Sequence, residues 1–483
     1  MSILKKLGIA LLVLIVVLAI ALFFVTRGDT ADLSVEEVSG TRPTLQEPDA
    51  EMFPTVAIAD PVGWAEGEKP VAAEGLVVER FAQGLDHPRT MYALPNGDIL
   101  VSLTRSPNQG GGGIMAWIAD KLMSKAGATG PSPNQVVLLR DNNGDGVADV
   151  QTVLIDGLDS PSGLAWRDDL LYVANHDEVL AFPYELGAAA PSGSPRRLTD
   201  LAGGGGHWMR NLELHPDEDR LYVAVGSDTN IGDKGMEAEA GRALIWEVNL
   251  ESGSRRQFAG GLRNPNGLDF NPWTGELWTT VNERDMLGSD LVPDYLTNVP
   301  IGAEYGWPWV YWGDNFDRRV EAPTPATINY VRRPEYALGP HVAALGFVFT
   351  GEGAALGPNF SNGAIVARHG SWNRKPPSGY DVVYVAFDER GNPQGKPVPL
   401  LTGFLEGDGD TRGRPTWVEW MDDGSLLVSD DTAGIIWRVS APGATPRGAI
   451  ERNSGRSLPP QRELRGQQAT FGEDDYAREV TAD

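Results

Sequence analysis

Asn264-Pro265-Asn266-Gly267-Leu268-Asp269-Phe270, continuing across a short turn into Gly275-Glu276-Leu277-Trp278-Thr279-Thr280, reads as one β-hairpin. Its strands carry the period-2 patterning of β-structure, and Pro, Asn and Gly punctuate the lead-in and the turn. The same design returns along the chain. Leu85 to Leu94 leads into Gly97 to Ser102, Pro161 to Trp166 into Leu170 to Ala174, and Met209 to Leu214 into Leu221 to Ala224. Downstream, Val342 to Phe347 pairs less regularly with Gly363 to Ala367, and Arg414 to Trp420 leads into Gly424 to Ser429. The lead-ins recur at a spacing of roughly 50–75 residues, enough for a four-stranded blade with insertions. Blades cannot bury their faces singly, so the expectation is an all-β fold, one six-bladed β-propeller over residues 76–440. An ordinary β-sandwich, the competing architecture, lacks self-similarity at so long a period.

The composition narrows the function. The chain has 483 residues, with 40 Lys+Arg against 66 Asp+Glu and a net charge of −26. Such acidity argues against sequence-independent nucleic-acid binding, which needs basic residues to replace counterions. With no cysteine in the chain, thiolate nucleophiles, disulfides and cysteine-ligated metal sites are excluded. No phosphate-binding P-loop, no dinucleotide fingerprint in a βαβ unit and no Gly-x-Ser-x-Gly elbow occurs.

The N-terminus suggests a compartment. Leu7 to Val25 is an unbroken apolar run after Lys5 and Lys6. As a helix it measures roughly 28 Å, close to the ~30 Å hydrocarbon core of a bilayer. Residues 1–27 are therefore expected to be an uncleaved transmembrane anchor, the alternative being a removed signal peptide. Residues 28–75 read as an extended linker and 441–483 as a flexible tail. Ile114 to Met123, within an insertion at 106–133, reads as a short amphipathic helix, and 302–340 as a long ordered loop.

Candidate chemistry gathers at the blade lead-ins. His207 follows the run Gly203-Gly204-Gly205-Gly206, where backbone can approach a ligand closely. It reads either as a proton acceptor or as a structural residue of a blade junction. Arg263-Asn264, Arg374, and Arg412 with Arg414 place guanidinium groups at or near lead-ins, where they suit a flat polyanion or salt bridges to acidic neighbours. Asp141 to Asp149 has the start of a calcium loop but Thr152 at its twelfth position, and is read as a turn held by Asx hydrogen bonds.

Together the stretches Gly203–Leu212, Gly261 to Leu268, Glu304-Tyr305-Gly306-Trp307-Pro308, Gly370 to Arg374 and Arg412-Gly413-Arg414 resemble the quinoprotein sugar dehydrogenases, the family of soluble glucose, aldose sugar and L-sorbosone dehydrogenases. The resemblance spans about 76–440, and that family's fold is a six-bladed propeller. It implies pyrroloquinoline quinone (PQQ) on the propeller axis, oxidation of an aldose or sorbosone-like sugar aldehyde, and onward transfer of electrons to a cytochrome or membrane quinone. His207 then matches the general base and Arg263 the arginine beside the reactive quinone oxygens. Asn264, Arg374, Arg412 and Arg414 match cofactor contacts. The family's calcium falls near Asn282-Glu283-Arg284, with Glu283 as a possible carboxylate donor and Asp294 at a nearby acidic position. The anchored chain is then expected on the periplasmic face of a bacterial inner membrane. The alternative is a calcium-dependent lactonase or esterase, chemistry that such propellers also host.

Overall fold

The computed structural model describes residues 28–107, 130–407 and 409–452. The apolar run at 7–25, the helix expected at 114–123 and residues 453–483 of the tail lie outside them. Among the described residues no helix is long and apolar enough to cross a membrane.

Six antiparallel sheets of four or five strands make up the body. The first strand of each is the inner one: Pro88–Ala93 in sheet I, Gly163–Arg167 in II, Leu212–Leu214 in III, Asn264–Phe270 in IV, Ala344–Phe349 in V and Pro415–Trp420 in VI. Each inner strand packs against the next, and that of sheet VI packs against that of sheet I, closing a ring. All six inner hairpins expected from the sequence are present at their expected places. The architecture is a β-propeller.

Six hydrophobic clusters fill the six gaps between neighbouring sheets. Leu100, Val136 and Leu164 lie between I and II, for example, and Trp278, Phe347 and Val385 between IV and V. Second strands are therefore sandwiched: Ile99–Leu103 and Leu426–Asp430 are buried at every position. Outer strands are wet, as in Val150–Ile155, whose middle is exposed.

Hydroxyls stitch the inner ring. Ser162 Oγ donates to Arg210 O at 3.1 Å, Thr280 Oγ1 to Leu345 O at 2.5 Å and Ser429 Oγ to Arg89 O at 2.7 Å, each crossing from one sheet to the next. The strands are close enough to require glycine: a Cβ on Gly267 would lie 2.7 Å from Leu345 O, and one on Gly346 2.7 Å from Trp417 Cα.

Two outer strands come from unexpected places. Val77–Gln83 is the fourth strand of sheet VI, pairing with Ile435–Ser440, so the start of the body closes the ring onto its end. Tyr336–Pro340, read from the sequence as loop, is the outer strand of sheet IV beside Pro293–Asn298. Residues 28–64 run as a strap that pairs Ser39–Gly40 onto the outer edge of sheet IV and elsewhere crosses the loops at one end of the ring, tied by Ala31 N–H to Lys375 O (2.8 Å), Ala57 N–H to Trp372 O (2.9 Å) and Trp64 Nε1 to Asp430 Oδ2 (2.9 Å).

Candidate functional site

Because the inner strands all run the same way, one end of the ring collects two kinds of loop: those leading into inner strands, and those joining second to third strands. This upper face holds most of the charged side chains singled out above. It also holds residues immediately after second strands that local sequence spacing did not pick out.

On the side of sheets III and IV stands His207. Its Nδ1 lies 2.9 Å from Ser227 O and 3.0 Å from Ser227 Oγ. A carbonyl can only accept, so Nδ1 carries the proton and Nε2 keeps its lone pair. Burial, then the positive charge of Arg263, pushes the imidazole down to about 3, so it is neutral near pH 7. Arg263 is buried and fully engaged. Its Nε donates to Asn230 O (3.1 Å), Nη1 to Glu283 O (2.6 Å), and Nη2 to Asn230 Oδ1 (3.0 Å) and Asp285 Oδ2 (2.9 Å). Asn264 Nδ2 donates to Asn282 Oδ1 at 3.2 Å. The far oxygen of Asp285 lies 3.5 Å from His341 Nδ1. Burial alone would lower His341, but Asp285 and Asp294 outweigh it and hold the ring above its ordinary value.

Across the mouth, sheets I, V and VI contribute a second group centred on buried Asp431. Its Oδ2 accepts from Arg89 Nη1 and from His369 Nε2 (2.9 Å), and lies 3.6 Å from His87 Nε2. Burial pushes this carboxyl up, yet His369, His87 and Arg89 together hold it well below the usual range. Burial lowers His87 to about 4 and lowers His369, so near pH 7 the permanent pair is Arg89 with Asp431. Arg89 reaches the His207 side, its guanidinium 5.8 Å from the Trp208 ring and its Nη2 2.8 Å from Met209 Sδ. Arg414 lies over the Tyr380 ring at 5.1 Å and donates Nη2 to Tyr380 OH at 3.1 Å. The Nε atoms of Arg89 and Arg414 are both buried without a hydrogen-bond partner.

Other expected site residues are placed apart from these groups. Arg412, two residues from Arg414, turns to Glu406 (3.1 Å), Glu68 (3.5 Å) and the Trp64 ring (5.9 Å). Arg374 is buried under the strap, donating to Leu33 O at 2.8 Å and to Asp290 Oδ1 at 3.3 Å. Asp290 in turn accepts from the backbone of Asp32 and Leu33.

The expected metal donors are engaged by protein. Glu283 Oε2 accepts from Arg284 Nε at 3.0 Å, and Arg284 donates onward to Pro308 O (2.7 Å) and Val310 O (2.9 Å). Asp294 accepts from Glu283 N–H (2.8 Å) and Ala343 N–H (2.7 Å), and burial pushes it up to about 7. The carbonyls of Glu283 and Asp285 already take guanidinium donors from Arg263 and Arg319. This set does not fit a calcium ion, which needs open oxygens and no cation already there. At the opposite end, the Asp141 carboxylate accepts from the backbone of Asn143, Gly144 and Gly146, the Asx-turn geometry expected.

His87, Arg89, His369, Asp285 and Asp431 were not singled out as site residues. A topological signal was available: His369, Asp285 and Asp431 all lie one to three residues past a second strand, on the same face as the lead-ins.

Comparison with known proteins bears on the family and the fold. The family described as TrAA12-like matches residues 70–299 and 316–442, and the Glucose / Sorbosone dehydrogenase family matches 246–369. A pyrroloquinoline quinone-dependent pyranose dehydrogenase of Coprinopsis cinerea is 37% identical over 134 residues, 24% of this chain and 18% of that protein. This chain therefore spans less than a fifth of that relative's length. The holo PQQ domain of the Coprinopsis cinerea pyranose dehydrogenase superposes with a TM-score of 0.61 at 21% identity, covering 79% of this chain and 100% of that one. A calcium structure of a Trichoderma reesei carbohydrate-active enzyme of family AA12 gives 0.62 at 21% identity, covering 77% and 97%. At these identities the structures establish a shared fold. The chain belongs to the TrAA12-like family.

Proposed function

We propose that this protein oxidises an aldose or a sorbosone-like sugar aldehyde using PQQ, with His207 as the base. The observation that carries the reading is the pair of buried guanidinium groups, Arg89 and Arg414, whose Nε atoms find no acceptor in the protein. An unmet buried donor costs about 1–3 kcal/mol. Arg332 and Arg374 carry such atoms away from the mouth too, so it is the grouping of Arg89 and Arg414 with Trp208 and Tyr380 that suits a ligand bringing its own oxygens, and PQQ is flat and tricarboxylic.

Arg89 and Arg414 would hold its carboxylates, with Trp208 and Tyr380 as the aromatic faces nearest them. Bound there, PQQ would supply the two-electron acceptor that no side chain of this protein provides. His207 is set to take the substrate's hydroxyl proton on Nε2, because Ser227 keeps the other nitrogen protonated. Arg263 acts as a fixed positive charge rather than as a free donor, since Asn230, Glu283 and Asp285 occupy its N–H groups. Asn264 borders the same strand start. A bound polyanion would offset the charge of Arg263 and so raise His207 from its low value toward a useful basicity.

Calcium is assigned no residues here, because the oxygens around 282–294 are already engaged. Transfer of electrons to a cytochrome or membrane quinone, on the periplasmic face of a bacterial inner membrane, completes the reading, supported by the N-terminal apolar run.

The test is an absorbance titration of the purified protein with PQQ, followed by sugar-dependent dye reduction. His207→Ala should keep the binding and lose about 10²–10⁴-fold in rate. Lactone hydrolysis without PQQ binding would instead favour the esterase alternative.

A further inference from the structure

The strap also determines which way the mouth points. Gly28, the first described residue, lies on the upper face. There Asp29 N–H donates to Thr55 Oγ1 at 2.6 Å and the Asp29 carboxylate accepts from Ser289 N–H at 2.7 Å. In sequence only Thr26 and Arg27 separate Gly28 from Val25, the last residue of the apolar run. Three residue steps of fully extended chain reach about 11 Å at most. If residues 7–25 enter a bilayer, as their sequence leads one to expect, that bilayer lies against the upper face and cannot reach the opposite end.

Surface chemistry at that face agrees. Met52 is 81% exposed, Val56 40%, Phe53 39% and Trp372 39%. They form one neighbourhood: Glu51 N–H donates to Met286 O and Ala57 N–H to Trp372 O, which lays this part of the strap between the upper loops of sheets IV and V. Isolated exposed apolar residues are ordinary, but four large ones grouped on a single strap and loop mark a contact surface. Exposed Lys375 beside them is a cation of the kind that meets lipid phosphates, and exposed Glu47 and Asp49 on the strap are carboxylates that favour a neutral lipid surface over an anionic one.

We propose that Met52, Phe53, Val56 and Trp372 rest on the phospholipid bilayer that residues 7–25 enter, so that the mouth opens toward the membrane surface. A membrane-dissolved redox partner would then meet the mouth directly, while a water-soluble substrate would approach from the side. The proposal does not depend on PQQ.

The absence of native cysteine makes single-position labelling clean. Full-length chains carrying Phe53→Cys, Val56→Cys or, at the far end, Val147→Cys are labelled with a small fluorophore. They are then reconstituted in phosphatidylcholine nanodiscs containing headgroup nitroxide lipid. Quenching at 53 and 56 should exceed that at 147 at least threefold. A further chain with Met52→Ser and Phe53→Ser, labelled at Trp372→Cys, should lose at least half of its quenching relative to Trp372→Cys alone. Equal quenching at both ends overturns the orientation. Unchanged quenching in the serine variant overturns the contact, and recovery of the full-length chain as a soluble protein lacking 7–25 overturns both. PQQ binding by that soluble protein would leave the proposed function standing.

Discussion

Replacing Asp431 with Asn tests the organisation of the mouth. Asp431 is 3% exposed and faces Arg89, His369 and His87. With both histidines held low, the substitution leaves the Arg89 guanidinium buried without its counter-ion. Removing one partner of such a pair costs about 3–5 kcal/mol. For a fold of roughly 400 residues that corresponds to a fall of roughly 4–6 °C in Tm. Arg89→Met should cost a similar amount, and the double variant clearly less than the sum, with a coupling of about 1–3 kcal/mol. The pH dependence is fixed by sign. The Asp431 carboxyl is held well below its ordinary 3.8, so its contribution is fully present above about pH 4 and is lost only as pH falls through the folded-state value. Calorimetry of the four proteins from pH 5 to 8 should therefore show a constant gap. Additive costs, or a gap that closes by pH 6, would refute the assignment of Asp431 as the anion that neutralises Arg89.

Other outcomes follow from neighbouring groups. Glu213, Asp269 and Glu419 come from the inner strands of sheets III, IV and VI; burial, then mutual repulsion, pushes Glu419 up to about 8, and burial pushes Asp269 up to about 7. Such carboxyls weaken the fold as pH rises from 4.5 to 8, so Glu419→Gln should stabilise the fold at pH 8 by a few kcal/mol at most, read as a higher Tm, and leave it unchanged near pH 4. In a PQQ titration Arg414→Ala should weaken binding at least about tenfold, the effect of losing a buried charged donor, and Arg412→Ala should change it little. Glu283→Gln should destabilise by less than about 3 kcal/mol in urea unfolding, because buried Arg284 keeps Asp317 at 3.4 Å as a second anion, while calcium titration by calorimetry stays as in the parent protein.

The inner ring was legible because its constraints are local. Gly267, Gly346 and the Pro and Asn lead-ins stand where neighbouring strands nearly touch, and those residues repeat in the sequence. Outer strands were harder. Val77–Gln83 pairs with Ile435–Ser440, more than 350 positions away, and nothing local announces that partner. Tyr336–Pro340 follows a Trp- and Pro-rich loop that hides its pairing.

The site divided in the same way. His207, Arg263 and Arg414 carry local marks, a glycine run or a lead-in. His87, His369 and Asp431 share no short spacing and meet only when sheet VI closes on sheet I. Arg412 and Arg374 illustrate the converse: sequence neighbours of mouth residues can be drawn off by other partners, Glu406 for one and Asp290 beneath the strap for the other.

The central claim is that buried Arg89 and Arg414 await a flat polyanion beside a neutral His207. Its most direct test is an absorbance titration of the parent protein and Arg414→Ala with PQQ, without added sugar. Saturable, one-to-one binding by the parent protein and at least about tenfold weaker binding by the variant are expected. No saturable binding by the parent, or equal binding by both, would contradict it.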